Sequence, residues 1–151
     1  MTPIITANGH GTRMQSFDVP KHEILYRGKR ICDYVLDTFP DALLATHHPT
    51  EWPNKVLKMQ QPQSRLSTIQ QICRQAYRND VLIIDCDIVF PKLIFDERMF
   101  ETNFIYYFVS DQTKYGSFNI KDGYLSRAVE GGNLQNKSSG IYFIKNLRNL
   151  S

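Results

Sequence analysis

Residues 81–84, Val-Leu-Ile-Ile, form an unbroken apolar run that ends in Asp85-Cys86-Asp87. A strand with one wet face alternates apolar and polar side chains. A run with no polar alternate has to bury both faces, as a central strand of a parallel sheet does beneath helices on either side. Two earlier runs, residues 3–7 (PIITA) and 42–46 (ALLAT), have the length of further buried strands. Between them, Ile31, Cys32, Val35, Leu36 and Phe39 fall on one helical face that Pro40-Asp41 ends. Strand, loop, helix and strand in that order predict a parallel pair with a right-handed crossover.

Residues 55–59 (KVLKM) read as a short strand. Ile69, Ile72, Cys73, Ala76 and Tyr77 then recur at the helical period, with Ser67 and Gln70 spaced as a capping box. Residues 103–111, 114–120, 123–130 and 140–145 read as strands, and Ile120-Lys121-Asp122-Gly123 marks a hairpin between two of them. Residues 130–140 read as a flexible loop, Trp52 and the aromatics of residues 103–109 as core. The expected architecture is α/β: one three-layer domain over residues 1–151, with a mixed, mostly parallel central sheet whose second half adds antiparallel strands.

A chain of 151 residues with 42% hydrophobic content can bury a sizeable core. A net charge of +3 with no Lys/Arg block argues against nucleic acid as a partner. No apolar run approaches the roughly 20 residues of a membrane helix, and the N-terminus lacks the basic and apolar regions of a signal peptide. Cys32, Cys73 and Cys86 are odd in number and lack CxxC spacing. They read as reduced thiols of a cytoplasmic protein rather than a disulfide frame or zinc site.

The loop after the first strand, Gly9-His10-Gly11-Thr12-Arg13-Met14, carries the chemistry. Met14 stands where the dinucleotide fingerprint needs its third glycine, and no GK[ST] follows to make a P-loop. The loop keeps the features of a phosphate cradle. Gly9 and Gly11 let backbone N–H groups converge on an anion, Arg13 offers a planar fork, and Lys21 a point charge. Residues 10–30 hold five cations (Arg13, Lys21, Arg27, Lys29, Arg30) against Asp18 and Glu23, a balance that suits a small anionic ligand. Asp87 lies just past a central parallel strand, where open α/β sheets bind ligands. His47-His48 reads as loop polarity, since neighbours leaving a strand point to opposite sides. No Ser-His-Asp or Cys-His signature is present.

These residues resemble the opening of the sugar-phosphate nucleotidyltransferases, the nucleotide-sugar pyrophosphorylase family. The matching positions are Ala7, Gly9, Gly11, Thr12, Arg13 and Met14, then Pro20-Lys21, then Gly28-Lys29-Arg30-Ile31. Val81 to Phe90 resembles the family's strand ending in a Mg²⁺-binding aspartate, at Asp87. Gly116 and Glu130 match its acceptor contacts, and Gly140-Ile141-Tyr142 its G-[IV]-Y strand. The resemblance spans about residues 3–145.

It implies a Rossmann-like, GT-A-like domain and a Mg²⁺-dependent transfer of a nucleotidyl group from a nucleoside triphosphate to a sugar 1-phosphate. Arg13 and Lys21 would be catalytic, and Ala7, Asn8, Gly9, Gly11 and Thr12 nucleotide-binding. Gln60 or Gln61 would contact the base, Gly116 and Glu130 the acceptor, and Asp87 the metal. The family's G-T step before the helix is Ser67-Thr68 here, so the base stays open. A second acidic metal ligand comes from a later strand in the family; Asp111 and Asp85 are the acidic residues available for it here. Two alternatives stand beside this reading. One is a cytidylyltransferase acting on a non-sugar phosphate such as phosphocholine. The other is a degenerate member that binds nucleotide or sugar phosphate without catalysis.

Overall fold

A computed structural model describes residues 1–9, 19–61, 64–76, 80–89, 96–112, 116–129 and 132–145. The run 81–84 is the buried strand β6 (Val81–Asp85), with β1 (Thr2–Thr6) parallel to it in the register Ile4↔Ile83. On the other side of β1 lie β4 (Leu43–Thr46) and β5 (Val56–Lys58), also parallel. The opposite flank is antiparallel: β10 (Asn136–Ile144) pairs with β6, and then come β8 (Ser117–Lys121) and β9 (Tyr124–Val129). Strand β7 (Phe104–Val109) pairs with β10 along its other edge. A two-stranded ribbon, β2 (Leu25–Tyr26) and β3 (Lys29–Arg30), stands apart. The fold is α/β with a mixed sheet whose core is parallel, as the apolar runs predict.

The sheet is covered on both faces. One face carries Ile5, Leu44, Leu82, Ile84, Ile141 and Phe143 against Cys32 and Val35, with Trp52 and Phe104 packed on this cluster. The other carries Ile4, Ala45, Leu57, Val81 and Ile83 against Ile72 of helix α1 (Arg65–Gln75). Trp52 is core, its indole N–H donating to the Ala42 carbonyl at 2.8 Å. Within β7 the aromatic expectation divides: Phe104 and Tyr106 pack inward, while Tyr107 is exposed.

Three local expectations are corrected. Ile31–Asp37 is a 3₁₀ helix rather than an α-helix. Arg30 grips Asp33 at i+3 through two bonds of 2.9 Å, and the i, i+3 eclipse of this geometry aligns the buried Cys32 and Val35. Helix α1 starts earlier than the Ser67–Gln70 box. Ser64 is its N-cap and Ser67 its N3 residue, because two serine hydroxyls close the reciprocal box as Ser and Gln would. Residues 136–140 belong to β10 rather than to a loop, since β7 and β8 pair with them from both sides. The hairpin holds: β8 and β9 join through Asp122 and Gly123, both with positive φ (53° and 80°).

Candidate functional site

The C-terminal ends of β1 and β6, the first turn of α1 and Tyr142 of β10 enclose a pocket of about 260 Å³. Asn8 and Gly9 leave β1 into this pocket. Asn8 is buried, and its amide ties four segments together. Nδ2 donates to the Gln60 carbonyl at 3.1 Å and the Thr68 hydroxyl at 3.4 Å, and Oδ1 accepts from His47 Nδ1 at 2.6 Å. Gly9 lines the pocket with open space where a Cβ would stand, so its backbone is accessible from that side. Ala7 turns inward, into the core.

Lys21 and Asp87 meet at this pocket as an ion pair, their side chains 35% and 41% exposed. Lys21 opens a 3₁₀ turn, Lys21–Glu23, after Pro20. That turn is anchored from behind, because Glu23 accepts from Arg30, which also grips Asp33. The cation cluster of residues 10–30 is therefore divided. Lys29 pairs with Asp37 at 2.6 Å, Arg30 is structural, and Arg27 lies 5.3 Å over the Tyr26 ring. Of the cations among the described residues of that segment, Lys21 is the one that lines the pocket.

Arg65 carries no motif in the sequence, and Tyr142 enters there only through the G-[IV]-Y likeness, with no site role; both line the pocket. Arg65, the first helical residue after the Ser64 cap, donates to Asp85 through both Nη atoms at 3.0 and 2.7 Å. Thr6 donates a further bond to Asp85 at 2.9 Å. The Tyr142 hydroxyl accepts from Arg65 at 2.9 Å and lies 2.6 Å from the Ser138 hydroxyl. The phenol's pKa is raised, chiefly by its burial. Burial likewise pushes the Cys86 thiol up to about 12, with Asp87 adding to the shift, so it is protonated and no nucleophile.

Other sequence-predicted residues lie elsewhere. Gln61 is exposed and outside the pocket lining, while Gln60 accepts from Asn8 through its carbonyl. Gly116 immediately precedes β8, and its carbonyl accepts from Ser138 N–H at 2.9 Å. Asp111 is exposed beyond β7, away from the pocket lining. Gly11, Thr12, Arg13 and Glu130, with His10 and Met14, lie outside the described residues.

His47 and His48 do not point to opposite sides; their ring centroids are 3.9 Å apart. Strand β4 ends at Thr46, whose hydroxyl accepts the His48 N–H at 3.1 Å, and the strand alternation stops at that turn. The buried His22 ring lies 5.8 Å from His48 and 2.7 Å from the Thr50 hydroxyl. Desolvation lowers its pKa to about 4 against the opposing pull of Glu23. Among the described residues no group of three or more His, Cys, Asp or Glu is placed to hold a metal. Asp85 is engaged by Arg65 and Thr6, so Asp87 is the carboxylate that suits Mg²⁺. It does so only as part of a site that phosphate oxygens complete, since that ion commonly takes one or two carboxylates plus substrate phosphates.

No helix among the described residues is long and apolar enough to cross a membrane. No family model matches the chain, and no curated protein matches it in sequence. Solved structures do match. A CTP:phosphocholine cytidylyltransferase from Streptococcus pneumoniae superposes with a TM-score of 0.76 and 14% identity, covering 99% of this chain and 73% of its own. A UDP-glucose pyrophosphorylase complexed with UDP-glucose gives 0.75 and 13%, covering 95% and 75%. A nucleoside-diphosphate-sugar pyrophosphorylase from Vibrio cholerae gives 0.67 and 11%, covering 97% and 73%. At these identities the likeness is one of fold: the chain has the Rossmann-like α/β fold of the sugar-phosphate nucleotidyltransferases.

Proposed function

From that shared fold and the pocket at its strand ends, we propose that the chain, as one domain over residues 1–151, is a Mg²⁺-dependent nucleotidyltransferase. It joins a nucleoside triphosphate to a sugar 1-phosphate or similar phosphate acceptor. An acceptor phosphate oxygen attacks the α-phosphorus in line, the bond to the β-phosphate breaks, and pyrophosphate leaves. The observation that carries the reading is the meeting of Lys21 and Asp87 in the pocket that Asn8 and Gly9 also line. A cation, a carboxylate and open backbone lining one pocket are a combination that suits phosphates.

Such a transfer needs positioning and charge stabilisation rather than covalent help. Backbone N–H groups of Gly9 and Gly11, with Thr12, would hold the phosphates. Arg13 would bind the β- and γ-phosphates, and Lys21 would neutralise charge at the α-phosphate. Asp87 would hold the Mg²⁺, which supplies charge neutralisation to the triphosphate when bound. Ala7 and Asn8 would border the nucleotide, and Gln60 or Gln61 the base. Gly116 and Glu130 would contact the acceptor. The cytosol, with its nucleoside triphosphates, is the compartment this reading requires.

The fold likeness to a phosphocholine cytidylyltransferase favours one second reading, a non-sugar phosphate acceptor. A pyrophosphate-release screen decides between them, crossing five nucleoside triphosphates with sugar 1-phosphates and phosphocholine. Release with a sugar 1-phosphate supports the first reading, and release with CTP and phosphocholine alone supports the second. Nucleotide binding without release in any pair would leave a non-catalytic binding protein.

A further inference from the structure

The two carboxylates at the pocket are held in different ways. Asp87 is well exposed, and its ion-pair partner among the described residues is Lys21, a compact ammonium on a flexible stem. Asp85 is locked. Its Oδ1 accepts from the Thr6 hydroxyl and Arg65 Nη1, and its Oδ2 from Arg65 Nη2. The fork is bidentate, the strongest geometry an arginine offers a carboxylate. Arg65, its side chain half exposed, is in turn held by the Tyr142 hydroxyl and by that ring, whose centroid lies 5.6 Å from the guanidinium carbon. From the remaining side Gly140 packs so closely that a Cβ there would stand 2.5 Å from Asp85 Oδ2.

We infer that Arg65 withholds Asp85 from divalent cations, leaving Asp87 as the carboxylate that exchanges its cation for a metal. Asp85 is then a fixed anion that positions Arg65, and Arg65 is a positioning residue that keeps the metal site to one described carboxylate. A cation entering at Asp85 would have to break two charge-assisted bonds and free a guanidinium packed on Tyr142. At Asp87 it displaces a single mobile ammonium, which stays available for an anion. The inference deepens the metal site of the proposed function and uses that reading only in its nucleotide arm. Removing Arg65 leaves Asp85 as an uncompensated, mostly buried charge beside Asp87, and that pair attracts a cation.

The test is Mn²⁺ binding in the absence of nucleotide, read by the electron paramagnetic resonance of free Mn²⁺. Arg65→Met should bind Mn²⁺ about tenfold more tightly than the unaltered chain, because a second carboxylate joins the site. Arg65→Met with Asp85→Asn should return to the unaltered affinity. Asp85→Asn alone should leave Mn²⁺ affinity unchanged, and Asp87→Asn should lower it. The last pair does not depend on the stability of Arg65→Met. Equal affinities of Arg65→Met and the unaltered chain, or a loss in Asp85→Asn matching that in Asp87→Asn, would overturn the inference. In the nucleotide arm, Mn²⁺ is titrated with each nucleoside triphosphate present. No nucleotide effect there would count against the proposed function and leave the metal-only comparison to decide this one.

Discussion

Replacing Gly140 by alanine tests how tightly β10 is fitted to the pocket. Gly140 has φ +86°, in the left-handed region, within the irregular stretch of β10 where register shifts between Ser138 and Tyr142. An L-residue there costs about 1–2 kcal/mol from its backbone alone. The added Cβ would also lie 2.5 Å from Asp85 Oδ2 and 2.9 Å from Asp85 Cβ. Those atoms belong to a side chain whose carboxylate is held by Arg65 and Thr6, so it cannot swing away without breaking bonds. Overpacking of this kind adds about 1–3 kcal/mol. Gly123 supplies the control, with φ +80° and nothing within 4 Å of its Cβ position. It isolates the backbone cost. Chemical denaturation of both variants measures the difference, expected at about 1–3 kcal/mol with unchanged slope. In a thermal melt each kcal/mol lowers the midpoint by about 2–4 °C for a chain of this size. Equal destabilisation of the two variants would refute the argument that Asp85 packs rigidly against Gly140.

Lys21→Ala and Arg13→Ala should each lower turnover about 10²–10³-fold; near-normal rates in both would sink their assigned roles. A thermal-shift panel of ATP, GTP, CTP, UTP and dTTP with Mg²⁺ should show stabilisation of about 2.7 kcal/mol at 100 times the dissociation constant. Asp87→Ala should weaken that shift, and no shift with any nucleotide would remove the nucleotide site. The pH dependence follows from His22, whose pKa falls from 6.5 to about 4 on folding. Above pH 6.5 both states are neutral at this ring; below it the unfolded chain takes up a proton that the fold refuses until near pH 4. Stability is therefore lost as pH falls, by about 2 kcal/mol between pH 7 and pH 5 from this residue. Urea unfolding of His22→Gln should lack that part of the loss, and an identical pH slope in both proteins would exclude it.

Much of the parallel core was legible because its signals are local. The runs at 3–7, 42–46 and 81–84 lack polar alternates, and doubly buried strands are what such runs form. The glycine hairpin at 122–123 follows from the positive φ that its turn demands. Asp87 and Lys21 were readable from position, one past a central strand and one beyond a glycine loop. The start of β10 was not readable: Asn136-Lys137-Ser138-Ser139 is polar, and only its pairing with β7 and β8 makes it a strand. The side-by-side rings of His47 and His48 depend on the turn that Thr46 closes.

By itself, then, the sequence determined which segments must be buried, because that follows from neighbours along the chain. The tertiary structure alone decided that Lys21 reaches Asp87, that Arg65 closes on Asp85, and that Tyr142 and Gly140 hold that pair in place. Each of those partners comes from a distant segment. A carboxylate's counter-ion is chosen by distance and direction in the folded sheet, and no local pattern encodes either.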